Sequence, residues 1–197
     1  MRIISILILC FICFSACNQG AENKEGSASV ENAPAEKIEN QSAMDSSLNP
    51  VIAEYLVLKD GFVEADTIAV NRAAVNLVSY IDSLYPDDDT LSATPVRSLF
   101  TNISAESKGL LGESDLNEKR KSFSMVSENL HDLLTLVKYR GNKIYQQTCP
   151  MAFNDTEAAT WLSNSPEVVN PYLGKKHPKY AAGMLHCGEV TDSIINR

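Results

Sequence analysis

The sequence predicts a mainly α domain, an antiparallel four-helix bundle that carries a small C-terminal, loop-rich lobe with a possible short β-hairpin. Three observations carry that expectation. Apolar residues recur at alternating steps of three and four along four successive segments between residues 50 and 140. Pro, Gly and capping residues punctuate those segments at short intervals, as a helical bundle with short connections requires. Past Gly141 the helical period stops and turn formers, aromatic residues and two cysteines take over.

The chain has 197 residues and a formal charge of −8. It starts with a signal pattern. Arg2 is followed by an almost continuous apolar run from Ile3 to Phe14, closed by Ser15-Ala16-Cys17. That run is too short for a bilayer span and ends in the small residues of a cleavage site. Small-small-Cys resembles the lipobox of bacterial lipoproteins. Residues 1–16 are therefore expected to be a lipoprotein signal peptide, with Cys17 as the lipidated residue. Cys10 and Cys13 leave with the signal, so Cys149 and Cys187 are the two thiols left to pair or to bind in an oxidising compartment. Loss of Arg2 makes the mature chain more acidic still. An acidic chain is a poor partner for nucleic acid or anionic lipid, so no nucleic acid is expected and membrane association falls to the acyl anchor alone. The expected location is the bacterial cell envelope, facing the periplasm.

Residues 17–48 hold few large apolar side chains, and their composition predicts a lipidated cysteine followed by a disordered tether. The domain is expected over 49–197. Its first helix is placed at about 50–63, capped by Asn49, with Pro50 in the first turn and Val51, Tyr55, Leu58 and Phe62 on one face. The second runs from Asp66 to Tyr85 on the stripe Val70, Ala74, Leu77, Ile81 and Leu84. Pro86 and Asp87–Asp89 then form a solvated turn, since their spacing lacks the alternating ligands of a calcium loop. Thr94-Pro95 opens the third helix, which Gly109 and Gly112 close. The fourth starts at Ser114 or Asp115 and ends in a basic turn before Gly141; His131 falls on its solvent side.

The lobe spans 141–191. Lys143–Cys149 and Met184–Val190 read as short strands, with one helical turn over Glu157–Leu162 and loop over Ser163–Tyr180. If the two strands pair antiparallel, Cys149 meets Cys187. So small a lobe needs the bundle, a disulfide or a metal to hold it. Phe153, Trp161 and Tyr172 are the apolar anchors that dock it.

Certain residues resemble a known pattern. Cys149-Pro150-Met151-Ala152, Trp161-Leu162-Ser163, Asn170-Pro171-Tyr172 and Met184-Leu185-x-Cys187-Gly188 resemble an uncharacterised domain family of bacterial envelope lipoproteins. The family is also found fused to periplasmic adaptor subunits of copper and silver efflux systems. Tyr55-Leu56-x-Leu58-Lys59-Asp60 and Arg120-x-x-Phe123-x-x-x-Ser127 resemble its helical half, so the likeness covers about residues 50–191. It implies a helical domain with a heavy-metal association, copper first, and metal-efflux components as partners. Lys175–Gly183 departs from the family pattern, so roles for His177 and His186 rest on chemistry alone.

That chemistry has two readings. Thiolate and thioether donors select Cu(I), with zinc the lesser alternative. The candidate ligands are Cys149, Met151, Met184 and Cys187, with His177 or His186 as auxiliaries. The competing reading is a Cys149–Cys187 disulfide that staples a non-metal structural or protein-interaction module. Met151 and Met184 are then core fillers and His177 a surface residue. Catalysis has little support: outside the expected signal peptide no Cys-x-x-Cys motif occurs, and there is no glycine-rich phosphate loop or pair of hydrolase histidines, so no enzyme is expected.

Overall fold

The computed structural model describes residues 33–84 and 94–194, with side chains from residue 42 onward. The signal peptide, the Cys17 anchor, the tether up to residue 32 and the turn at Asp87–Asp89 lie outside the described residues. The rest is mainly helical, with four helices followed by a three-stranded antiparallel sheet.

Helix α1 spans Ala33–Glu64, so it starts well before the expected boundary at Asn49 and takes in the second half of the expected tether. Pro50 lies inside it, not in its first turn. Leu48, Val51 and Tyr55 are all fully buried, so burial continues across the proline. Asn49, expected as a cap, instead accepts a hydrogen bond from the Tyr139 hydroxyl at 2.9 Å. The helix ends where Ala65 turns left-handed (φ 51°) and the Asp66 amide reaches back to the Gly61 carbonyl.

Helix α2 (Thr67–Leu84) follows at once. The Asp66 carboxylate caps it by accepting from the Ile68 and Ala69 amides, both at 3.0 Å. Thr94 caps α3 (Pro95–Gly112) and Pro95 opens it, as expected. Asp115 caps α4 (Leu116–Leu136). That last helix stops short of Gly141. Lys138 adopts the left-handed conformation (φ 55°), and the Tyr139 amide donates to Leu134 O, a Schellman closure without glycine. Each helix packs on the next, α1 on α2, α2 on α3 and α3 on α4.

In the sheet, β1 (Ile144–Phe153) lies between β2 (Glu157–Ser163) and β3 (Glu189–Ile194), and both pairings are antiparallel. The expected hairpin is thus a three-stranded sheet, and the helical turn expected at Glu157–Leu162 is a strand. Ala159, Trp161, Leu162 and Ser163 are all buried, so the second half of this strand is covered on both faces. The outer strand begins at Glu189, opposite Thr148, while Met184–Gly188 form the turn that leads into it.

β2 rests on α4 and α1. There Tyr55 stacks on Phe123 (5.4 Å between centroids), Phe123 meets Tyr172 (5.8 Å), and Tyr172 packs edge-on to Trp161 (6.0 Å) and Phe153 (5.3 Å). This aromatic chain is the expected docking of the lobe, running unbroken from helix to sheet.

Candidate functional site: a buried thiol pair

Cys149 sits on β1 opposite Ala159 and is fully buried. Cys187 is half-buried in the turn before β3. Their Sγ atoms are 3.0 Å apart, both as thiols, across 38 residues of chain. Burial first, and then the hydrogen bond shared with Cys149, push the Cys187 thiol up to about 11.

The chain is built to hold this pair. Asn170 is completely buried, and its side-chain oxygen accepts from the Tyr172 and Leu173 amides at 2.8 and 2.9 Å. Its Nδ2 donates to the Cys187 carbonyl at 2.7 Å, and its backbone amide donates to Leu185 O at 2.8 Å. One side chain therefore shapes the Asn170–Gly174 turn and clamps Cys187. The sequence predicts only loop over Ser163–Tyr180; the signal for this clamp is an Asn whose side chain can bind backbone amides two and three residues on.

Gly188 has φ 130°, a conformation that disfavours side chains, and a Cβ there would lie 2.7 Å from Thr148 O and 3.0 Å from the Trp161 ring. Close approach at Gly188 thus lets the chain pass under Trp161 and deliver Cys187 to β1. Tyr172 donates to the Thr160 carbonyl from the other side.

Arg120, another residue without an expected site role, fixes the loop to the helices. Its guanidinium donates to Pro171 O and Asn117 Oδ1, each at 3.0 Å, and to Phe62 O at 3.3 Å, near the C-terminus of α1. Burial pushes its pKa down, and the Asp115 carboxylate opposes that shift. Lys175 adds a backbone bond to Val63 O at 2.8 Å.

The other expected ligands are dispersed. Met184 shares the cysteine turn, where its carbonyl accepts from the Cys187 amide at 3.0 Å, and its side chain packs on the core. Met151 and His177 instead line a separate cleft of about 330 Å³ with Arg120, Phe153, Asp155 and Tyr172. Within it, His177 Nδ1 accepts from the Lys179 and Tyr180 amides, both at 3.3 Å, and burial followed by the nearby Arg120 charge lowers its pKa. His186 is exposed, with Nδ1 committed to Val168 O at 2.7 Å. His131 is not a free solvent-side residue: its Nε2 lies 3.3 Å from Asp192 Oδ2 and links α4 to β3.

Among the described residues, no group of three or more His, Cys, Asp or Glu side chains is placed to hold a metal ion. Two sulfurs bound to one zinc at about 2.3 Å each, with tetrahedral angles, stand roughly 3.8 Å apart. The Cys149–Cys187 pair is closer than that and would have to spread to admit an ion.

Residues 51–141 match the family described as "Protein of unknown function (DUF3347)". The matched stretch runs from within α1 past the end of α4, so it is consistent with an uncharacterised helical domain family over those residues. The match ends before β1, and both cysteines lie beyond it. No curated protein and no solved structure matches the chain.

Proposed function

We propose that the chain is a lipid-anchored protein of the bacterial cell envelope, facing the periplasm. Its four helices form an antiparallel bundle, its C-terminal sheet is stapled by a Cys149–Cys187 disulfide, and it acts as a protein-interaction module and not as an enzyme. One observation carries this reading: the 3.0 Å contact between a buried and a half-buried thiol on neighbouring segments. Closing the bond needs the sulfurs to approach by about 1 Å. An oxidising compartment supplies the driving force, and a signal sequence ending in Cys17 leads there. The raised pKa of Cys187 weighs against the metal reading, because a thiol held protonated at neutral pH is a poor ligand.

A second reading, handling of Cu(I) as an accessory to metal efflux, draws on the same pair. Cys149 and Cys187 converge, and the thioether-bearing Met184 belongs to the same turn, a soft donor set that favours Cu(I) over zinc. The resemblance of Cys149–Ala152 and Met184–Gly188 to domains fused to copper and silver efflux adaptors supports it. The ligand set then contracts to Cys149, Cys187 and Met184; Met151, His177 and His186 drop out.

Native mass spectrometry of the mature protein, isolated from a copper-supplemented periplasm without reductant, separates the two. The stapled module predicts a mass about two units below the reduced chain and no adduct. A copper adduct that disappears in both Cys149→Ser and Cys187→Ser would overturn it in favour of metal handling. Met184→Leu keeps the volume, so weaker Cu(I) affinity in that variant would assign the thioether.

A further inference from the structure

The two thiols of the pair are not equivalent. Cys149 has no solvent exposure, on β1 opposite Ala159 of β2. Cys187 is half-buried, on a turn whose next residues lead into the outer strand of the sheet. Solvent therefore reaches residue Cys187 and not Cys149.

Building on the stapled reading, we infer that Cys187 is the sulfur through which the bridge is made and broken, by exchange with a low-molecular-weight thiol–disulfide couple, and that Cys149 is the buried resolving thiol. In the forward direction Cys187 releases its proton to solvent and its thiolate attacks a small disulfide. A Cys187 mixed disulfide forms and one small thiolate leaves, taking up a proton. The Cys149 sulfur, already 3.0 Å away, then attacks the Cys187 sulfur and gives up its own proton. The protein bridge forms and the second small thiol departs. Two electrons pass from the protein pair to the small disulfide, which becomes two thiols. Reduction runs the same path backwards, with the small thiolate attacking at Cys187.

The Asn170 clamp serves this order of events. It holds the Cys187 carbonyl and not the sulfur, so a mixed disulfide at Cys187 leaves the turn in place and the Cys149 sulfur within reach.

Oxidised glutathione is the probe. The fully reduced mature protein is mixed with it, and early samples are quenched in acid and digested with trypsin. Cys149 falls on the peptide Ile144–Lys175 and Cys187 on Tyr180–Arg197, with Cys17 on a separate one. The expected result is a glutathionyl group on Tyr180–Arg197 that decays as a cross-link to Ile144–Lys175 appears. Cys149→Ser should accumulate the mixed disulfide, and Cys187→Ser should react roughly tenfold more slowly or less. Initial label on Ile144–Lys175, or equal rates in the two variants, overturns the assignment of roles while leaving the bridge intact. Should either variant fail to fold, the wild-type peptide map still decides. A wild-type pair that never cross-links under exhaustive oxidation removes the bridge itself, a result distinct from a bridge entered from the wrong side.

Discussion

The Tyr55 hydroxyl joins the helices to the sheet. It shares a 2.7 Å hydrogen bond with Ser127 on α4 and accepts one of 2.9 Å from the Leu162 amide on β2, all in full burial. Tyr55→Phe should leave a buried amide without an acceptor and cost about 1–3 kcal/mol, read by denaturant unfolding. The thiol pair makes a pH prediction. In the reduced protein Cys187 ionises at about 11, above the 9.0 of an unperturbed thiol. The folded state therefore holds its proton more tightly than the unfolded state. Stability is fully present below about pH 9 and declines as pH rises toward 11. Alkylation of Cys187 should accelerate about tenfold per unit over the same range. Denaturation and iodoacetamide kinetics from pH 7 to 11 check both, and a flat profile would contradict them. At this scale the sequence was partly legible. Cys149 and Cys187 were expected to meet and they do, because strand pairing converts a long separation into a neighbour relation. Asn170 and Arg120 were missed because their partners are backbone carbonyls and amides of distant segments, which no spacing reveals.

The loop between β2 and β3 is the element on which the site depends. Asn170 anchors it through five hydrogen bonds, three of them from its side chain, and Gln147, buried on β1, donates to Ser165 O at 3.1 Å and Glu167 O at 3.0 Å. Asn170→Ala should cost about 2–4 kcal/mol by leaving buried backbone groups unpaired. It should also slow closure of the Cys149–Cys187 bond, because the turn no longer presents Cys187 to β1. Unfolding curves of the oxidised variant and its rate of bridge formation test the two effects separately. Helices α2, α3 and the start of α4 were legible because capping residues sit beside strong amphipathic periods: Asp66, Thr94 and Asp115 each accept from amides of the first turn. β2 was misread because Glu157-Ala158-Ala159 favours helix locally, whereas ladder pairing with β1 and burial of Trp161 decide the strand. The start of α1 was placed late because Asn49-Pro50 looks like a helix entrance, while Leu48 carries the buried face across it.

Across the whole molecule, four helices, whose residues 51–141 match the DUF3347 model, are followed by a sheet that the chain must hold against them. The aromatic chain from Tyr55 to Trp161 supplies much of that hold, and the bridge adds a constraint on the unfolded state. Closing 38 residues of chain removes loop entropy worth roughly 4 kcal/mol on the chain-entropy account. For a domain of this size that is on the order of 10 °C in Tm. Calorimetry of oxidised and reduced protein should show it, and equal Tm values would mean that the sheet is held without the bond.

The account rests on Cys149 and Cys187 being joined in the native protein. Tryptic mapping of protein isolated without reductant, after free thiols have been alkylated, tests that most directly. The expected result is a single cross-linked species containing Ile144–Lys175 and Tyr180–Arg197. Recovery of the two peptides separately, each carrying the alkyl group, would contradict it and leave the pair as a free dithiol.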